Sequence, residues 1–299
     1  MIKKQVLALI LANSLCLICT ASIALAEHPA IAIVKIYAHE GDDLNSINPY
    51  IITILALNEV RHARHLDEVR RFILWYFSKI NRSDYHGLSG TIYDYIIENG
   101  TERSTDQYDS ADGYAGLFLH LLHQYVRKTN DIEILRLHWK EIESIARVIL
   151  ALQDQKGLTK ALPDRPQKYL MDNCEAFGGM TGYTELRKRI GKRDSAYFNK
   201  ARNALKKGIL AYFYDPKNAL FFWALEGGVP SVSEWNLFYP DAFAQLFPVY
   251  FGILADKPLM KQRLWVEFSG RYEASIDDYP IEQRIIFQLT KSTMETPPQ

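Results

Sequence analysis

Apolar residues recur along this chain with a helical period, and the polar breaks between the periodic runs fall at similar spacings. Asn48-Pro49 reads as a cap followed by proline at the first helical position, opening a helix over 50–60. A second helix over 66–80 carries Leu66, Val69, Ile73, Leu74 and Phe77 on one stripe. A stretch rich in Gly, Ser, Asn and Asp follows, with the β-prone pieces Gly90-Thr91-Ile92-Tyr93 and Tyr95-Ile96-Ile97, and predicts a loop or short hairpin.

The same syntax then repeats. Residues 109–128 with 131–153, 172–190 with 194–214, and 239–254 with 259–272 predict three further helical pairs, which makes four legible hairpins with fragments of others. The first members open alike, with an acid, small residues and an aromatic: Asp112-Gly113-Tyr114-Ala115-Gly116, Glu175-Ala176-Phe177-Gly178-Gly179 and Asp241-Ala242-Phe243-Ala244. Asp112 to Glu175 is 63 positions and Glu175 to Asp241 is 66, a period that suits a repeated helical hairpin. The lead-in segments rhyme too: Tyr85-His86-Gly87-Leu88, Gln155-Lys156-Gly157-Leu158 and Lys217-Asn218-Ala219-Leu220. In a ring of hairpins these connections share one rim, where loops on a rigid scaffold carry function.

Composition alters this picture at the N-terminus. Lys3 and Lys4 precede an apolar run from Val6 to Leu25, and Ala24-Leu25-Ala26 fits a signal-peptidase site, so residues 1–26 are expected to be removed on export to the periplasm or beyond. No membrane attachment is expected afterwards. Cleavage would take Cys16 and Cys19 and leave Cys174 alone, so stability must come from a core rather than from disulfides, within one domain over 27–299. Without Lys3 and Lys4 the balance is 33 basic against 35 acidic residues, and so even a balance carries no nucleic-acid footprint.

The chemistry centres on Tyr108-Asp109-Ser110-Ala111-Asp112, where two carboxylates head a very apolar helix and Ala111, Gly113, Ala115 and Gly116 allow another backbone to approach closely. These residues resemble the six-hairpin, or (α/α)6, toroid of many glycoside hydrolases, and the Asp109–Asp112 stretch resembles the corresponding region of the family eight endoglucanases. The resemblance spans about residues 48–279, as a pattern of repeats. It implies an all-α toroid with short β-hairpin loops on one rim, acting on a polysaccharide or oligosaccharide. It also implies a glutamate proton donor near the N-terminus, for which Glu40 is the nearest candidate.

Glycoside hydrolysis needs one carboxylic acid that keeps its proton and one carboxylate that activates water or attacks the sugar. Asp109, Asp112, Asp172 and Glu175 are the catalytic candidates, since acids at the rim ends of inner helices converge on one cavity; each could instead be a helix cap. Tyr108, Tyr114, Tyr169, Trp223 and Trp235, with Asp241 and Arg103, are candidates for substrate binding, Trp235 being expected to stand exposed in a polar connection. Arg165 joins Arg103 as a rim guanidinium suited to acidic sugars or to pairing with nearby acids. His62 with His65 and His120 with His123 share helical faces but lack the flanking partners of a metal motif, and there is no phosphate loop or G-x-S-x-G elbow, so neither metal nor cofactor is expected. Three readings follow: a hydrolase of a bacterial polysaccharide, an inactive toroid that binds glycan or a protein of a polysaccharide export system, and a uronic-acid lyase or epimerase using tyrosine and histidine.

Overall fold

The computed structural model describes residues 28–39, 44–193 and 195–295. The expected signal segment with Cys16 and Cys19, the candidate Glu40, and Asp194 lie outside them.

The helices are α1 (Pro29–Lys35), α2 (Pro49–His62), α3 (Leu66–Lys79), α4 (Ala111–Thr129), α5 (Ile132–Leu137), α6 (Trp139–Leu152), α7 (Leu170–Arg189), α8 (Ala196–Gly208), α9 (Leu246–Tyr250), α10 (Pro258–Tyr272) and α11 (Ile281–Glu295). Among the described residues, α2, α4, α7, α9 and α11 each pack on the next and α11 returns to α2, closing an inner ring. Helices α3, α6, α8 and α10 lie outside it as the second members of hairpins, and α1 packs on α2 and α3. One contiguous core runs from Ala30 to Leu289.

Local chemistry places the boundaries. The Asn48 side chain accepts from the Ile51 N–H at 2.9 Å and Pro49 fills the first helical position, so α2 starts where the cap predicts. Three expectations needed correction. The helix over 131–153 is two, α5 and α6, separated where His138 leaves helical geometry with its ring stacked on Phe77 at 4.8 Å. The run over 194–214 ends its α-helix at Gly208 and finishes in a π turn, Ile209–Phe213. The run over 239–254 breaks into a π turn, Phe238–Ala242, and the short α9, because Pro240 and Pro248 contribute no N–H to a continuous ladder.

The rhyming lead-ins share one construction. Asp84 Oδ1 accepts from the N–H groups of His86 and Leu88 at 2.8 Å each, and Asp154 Oδ1 accepts from those of Lys156 and Leu158 at 2.8 and 3.1 Å. Asp215 Oδ1 does the same for Lys217 at 2.9 Å. Gly87 and Gly157 then take the left-handed backbone (φ 79° and 81°), and Ala219 occupies the equivalent place in the third copy at φ 53°. The repeated motif is thus an aspartate-capped turn that carries the chain from an outer helix back to the rim.

Short antiparallel sheets decorate that rim. Strand β1 (Ser46–Ile47) pairs with β2 (Tyr95–Glu98), which pairs with β3 (Thr101–Ser104) around Asn99-Gly100; of the two β-prone pieces read in the sequence, 95–97 is in this hairpin and 90–93 forms no strand. Strand β4 (Lys168–Tyr169) pairs with β7 (Ala224–Glu226), which pairs with β8 (Val229–Ser231), while β5 (Tyr214–Asp215) pairs with β6 (Leu220–Phe221).

Candidate active site

Helices α4 and α7 form the most extensively packed pair of the ring, and glycines set their separation. A Cβ on Gly116 would lie 2.5 Å from the backbone of Glu175 and Ala176, and one on Gly179 would lie 2.3 Å from the carbonyl oxygen of Gly116. Only hydrogen fits there. The small residues read in the sequence therefore let two backbones touch, and the acids at the rim ends of both helices are drawn together. A Cβ on Gly113 would meet Glu175 Oε2 at 3.0 Å and Asp172 Oδ1 at 3.3 Å, which locates both carboxylates beside the first turn of α4.

Asp112 and Glu175 are fully buried and Asp172 is 8% exposed. Asp112 Oδ2, Asp172 Oδ2 and Glu175 Oε2 have no hydrogen-bond partner among the described residues. The Gly113 N–H donates to Asp112 Oδ1 at 3.0 Å, and the Tyr50 hydroxyl donates to Glu175 Oε1 at 2.7 Å. Burial, opposed in part by the surrounding donors, pushes Asp112 up to about 7 and Glu175 up to about 8. Asp172 is driven well above the usual carboxylate range by burial and then by the charges of Asp112, Glu175 and Asp109. Three carboxyl groups in one dry place cannot all ionise at neutral pH, so the cluster retains protons.

A cavity of about 420 Å³ opens over this cluster. Asp172 and exposed Asp109 are on its wall, with Ser110 between α4 and the opening, whereas Asp112 and Glu175 lie behind the wall. Aromatic faces complete it. Tyr169 and Trp223 stand parallel, 7° apart with centroids at 6.3 Å, because β4 and β7 pair Tyr169 with Ala224 and the Leu170 N–H donates to the Trp223 carbonyl. Tyr50, Tyr114 and Tyr239 line other parts of the wall.

The remaining sequence candidates are elsewhere. Tyr108 is buried and its hydroxyl donates to Asp84 Oδ2 at 2.7 Å, so it braces the first aspartate-capped turn. Asp241 is buried and does not line the cavity: its Oδ1 accepts the Glu234 N–H at 3.0 Å, a contact to the preceding connection and not a helix cap. Trp235 is half-buried against the core rather than exposed, with its carbonyl accepting from the Tyr272 hydroxyl at 2.5 Å. Arg103, exposed on β3, pairs with Glu98 at 2.6 Å and is not on the wall. His120 is buried beside the Tyr250 hydroxyl at 3.2 Å and pushed down to about 3 by burial, while exposed His62 hydrogen-bonds the Asn58 carbonyl. Cys174 is wholly buried and fills space as a small side chain within α7.

Four wall or near-wall groups escaped the sequence reading. Asn48 spends Oδ1 on its cap, yet its Nδ2 donates to Asp94 Oδ2 at 3.4 Å. Asp94 also accepts from Tyr114 at 3.0 Å and is pushed up to about 6, chiefly by burial. Tyr50 was read only as a helical residue. Glu282 comes from α11, a helix whose signal was present in Pro280 followed by Ile281, Ile285, Ile286 and Leu289.

No protein-family model matches this sequence, nor does any curated protein. Among solved structures, the chain is similar to a rhamnosidase from Klebsiella oxytoca with rhamnose bound (TM-score 0.60, 13% identity, covering 84% of this chain and 46% of that one). It therefore spans just under half the length of that rhamnosidase. It is also similar to a GH76 alpha-mannanase from Bacteroides thetaiotaomicron (TM-score 0.59, 9% identity, covering 89% and 76%). A GH63 mannosylglycerate hydrolase from Thermus thermophilus gives a TM-score of 0.54 at 10% identity, covering 82% and 76%. The fold is that of the six-hairpin, (α/α)6-type glycosidases, as the repeat pattern implied.

Proposed function

We propose that this protein hydrolyses glycosidic bonds in a bacterial polysaccharide or oligosaccharide held in the cavity over α4 and α7. The observation that carries the reading is Asp172: nine-tenths buried, on the cavity wall, with Oδ2 unpartnered, and facing the same space as exposed Asp109. In this reading Asp172 is the acid that protonates the departing sugar oxygen, and Asp109 is the carboxylate that activates water. Asp112 and Glu175 do not reach the wall and act through Asp172, since their proximity and burial favour a proton on it. The parallel faces of Tyr169 and Trp223 suit the apolar faces of a sugar ring. Export to the periplasm or beyond, after cleavage behind Ala26, belongs to the same proposal and is read out by N-terminal sequencing of the exported protein.

The test is reducing-sugar release from a panel of bacterial polysaccharides and oligosaccharides. Asp172→Asn and Asp109→Asn are each expected to lower the rate on a cleaved substrate by about 10²–10⁴-fold with unfolding temperature retained. Unchanged rates in both variants would refute the assignment, and saturable glycan binding without release would favour a toroid that binds and does not cut.

A further inference from the structure

Apart from tyrosines, the ionisable side chains around the cavity are all acids, although the chain as a whole has 35 basic and 35 acidic residues. Asp109, Asp172 and Glu282 are on the wall, Asp94, Asp112 and Glu175 stand close behind, and among the described residues no lysine, arginine or histidine lines the space. Several acids elsewhere do pair with cations: Glu98 with Arg103 at 2.6 Å, Glu143 with Arg147 at 2.6 Å, Asp256 with Lys206 at 2.7 Å and Glu273 with Lys291 at 2.7 Å. No ion pair joins Asp109, Asp172 or Glu282 to any cation among the described residues. Arg165, an exposed guanidinium near Tyr85 and Tyr169, stays off the wall.

An acidic cluster alone would say little, because acids gather at helix starts for structural reasons. Here Asp172 adds an independent sign of a ligand, since it lines the cavity while nine-tenths buried and its Oδ2 has no partner among the described residues. A buried acceptor in that condition is costly unless something else donates to it. Trp223 and Tyr169 present π faces on the same wall, which attract ammonium groups as well as sugar C–H faces.

We propose that the glycan taken by this cavity carries free, protonated amino groups, so that the substrate class is an amino-sugar polymer or oligomer with unacetylated amines. A uronic acid would bring its carboxylate to a wall that holds acids and, among the described residues, no lysine, arginine or histidine, so this proposal disfavours a uronic-acid substrate. The inference rests on the cavity being a glycan site, and its test separates the two ideas. Its specificity lies in Glu282, which has no part in the proposed catalysis.

Trp223 gives an intrinsic fluorescence signal for titration of the full-length protein with three probes of equal length: β-1,4-glucosamine oligomer, its fully N-acetylated counterpart, and an oligoglucuronate. The glucosamine oligomer is expected to bind at least about tenfold tighter than the acetylated one, with the margin shrinking as salt rises, and the oligoglucuronate not at all. Glu282→Gln should cut the margin between the two oligomers about threefold. Glu133→Gln, an exposed acid on α5, should change nothing. Equal affinity for the first two probes, or an equal loss in Glu133→Gln, would overturn the proposal. Cleavage of neutral oligomers without amine preference would sink this inference and leave the hydrolase intact. Amine-selective binding with no cleavage of any oligomer would do the reverse.

Discussion

Gly179→Ala tests the claim that bare backbone contact between α4 and α7 holds the acids together. The added Cβ would sit 2.3 Å from the Gly116 carbonyl oxygen and 2.7 Å from its Cα, both rigid backbone atoms of a buried helix. Ordinary contact begins near 3.4 Å, so the helices must part by about 1.1 Å, the difference between 3.4 and 2.3. A gap of that size forfeits roughly a quarter to a half of the dispersion energy of each atom pair along the seam. Overpacking of this kind costs about 3 kcal/mol when no side chain can give way. Alanine in a helix returns about 1 kcal/mol relative to glycine, leaving a net loss of about 2 kcal/mol. Gly270→Ala is the control: Gly270 lies inside α10, its Cβ would meet nothing within 4 Å, and only the propensity gain remains. In thermal unfolding followed by circular dichroism, Gly179→Ala should lower the midpoint by about 4–8 °C while Gly270→Ala raises it by about 2–4 °C. If Gly179→Ala raised the midpoint as Gly270→Ala does, the close-contact argument would be wrong.

Two further outcomes follow from the site. Asp112 and Glu175 bind protons more tightly folded (about 7 and 8) than unfolded, where the ordinary carboxylate values of 3.8 and 4.5 hold, so their contribution is present at low pH and is lost as pH rises through the folded values. Stability in urea should therefore fall between about pH 5 and pH 8, by up to about 1.4 kcal/mol per pH unit for each titrating group, and Glu175→Gln should flatten the slope; a slope identical to wild type would contradict the buried-acid account. Trp223→Ala should raise KM for a cleaved glycan about tenfold with a smaller change in kcat, since stacking serves bound substrate and transition state alike; a fall in kcat with KM constant would place Trp223 in the chemistry instead.

The helical hairpins were legible because periodicity and capping are local, as at Asn48-Pro49, and the acid-small-aromatic openings of α4 and α7 told where two helix mouths would meet. The third opening misled. Asp241 shares the pattern, but proline at 240 turns the segment away and its carboxylate caps a loop. The local difference from Asp112 is Pro240, immediately before Asp241, which redirects the backbone there. Asp94 was illegible for a different reason: its environment comes from Asn48 and Tyr114, 46 and 20 residues away, and only the closed ring brings them together. The aspartate-capped turns were heard as a rhyme in sequence, and their carboxylate-to-amide geometry needed coordinates.

The return of α11 onto α2 has a consequence for the order in which the molecule acquires its parts. The acids of α4 and α7 lie 63 positions apart, whereas the Arg61 guanidinium on α2 reaches the Gln288 carbonyl on α11 across 227. Loop-closure entropy grows only with the logarithm of length, so the longer closure costs about 1 kcal/mol more, a small thermodynamic burden. Kinetically the two events differ more, because contacts distant in sequence form late and a chain emerging from the ribosome can pair α4 with α7 before α11 exists. Glu282 and Ile286 then arrive as the last stave of a barrel whose hoop is already tight. The paired acids thus precede the chamber above them, and an unfinished chain holds the carboxylate cluster without the wall that α11 completes.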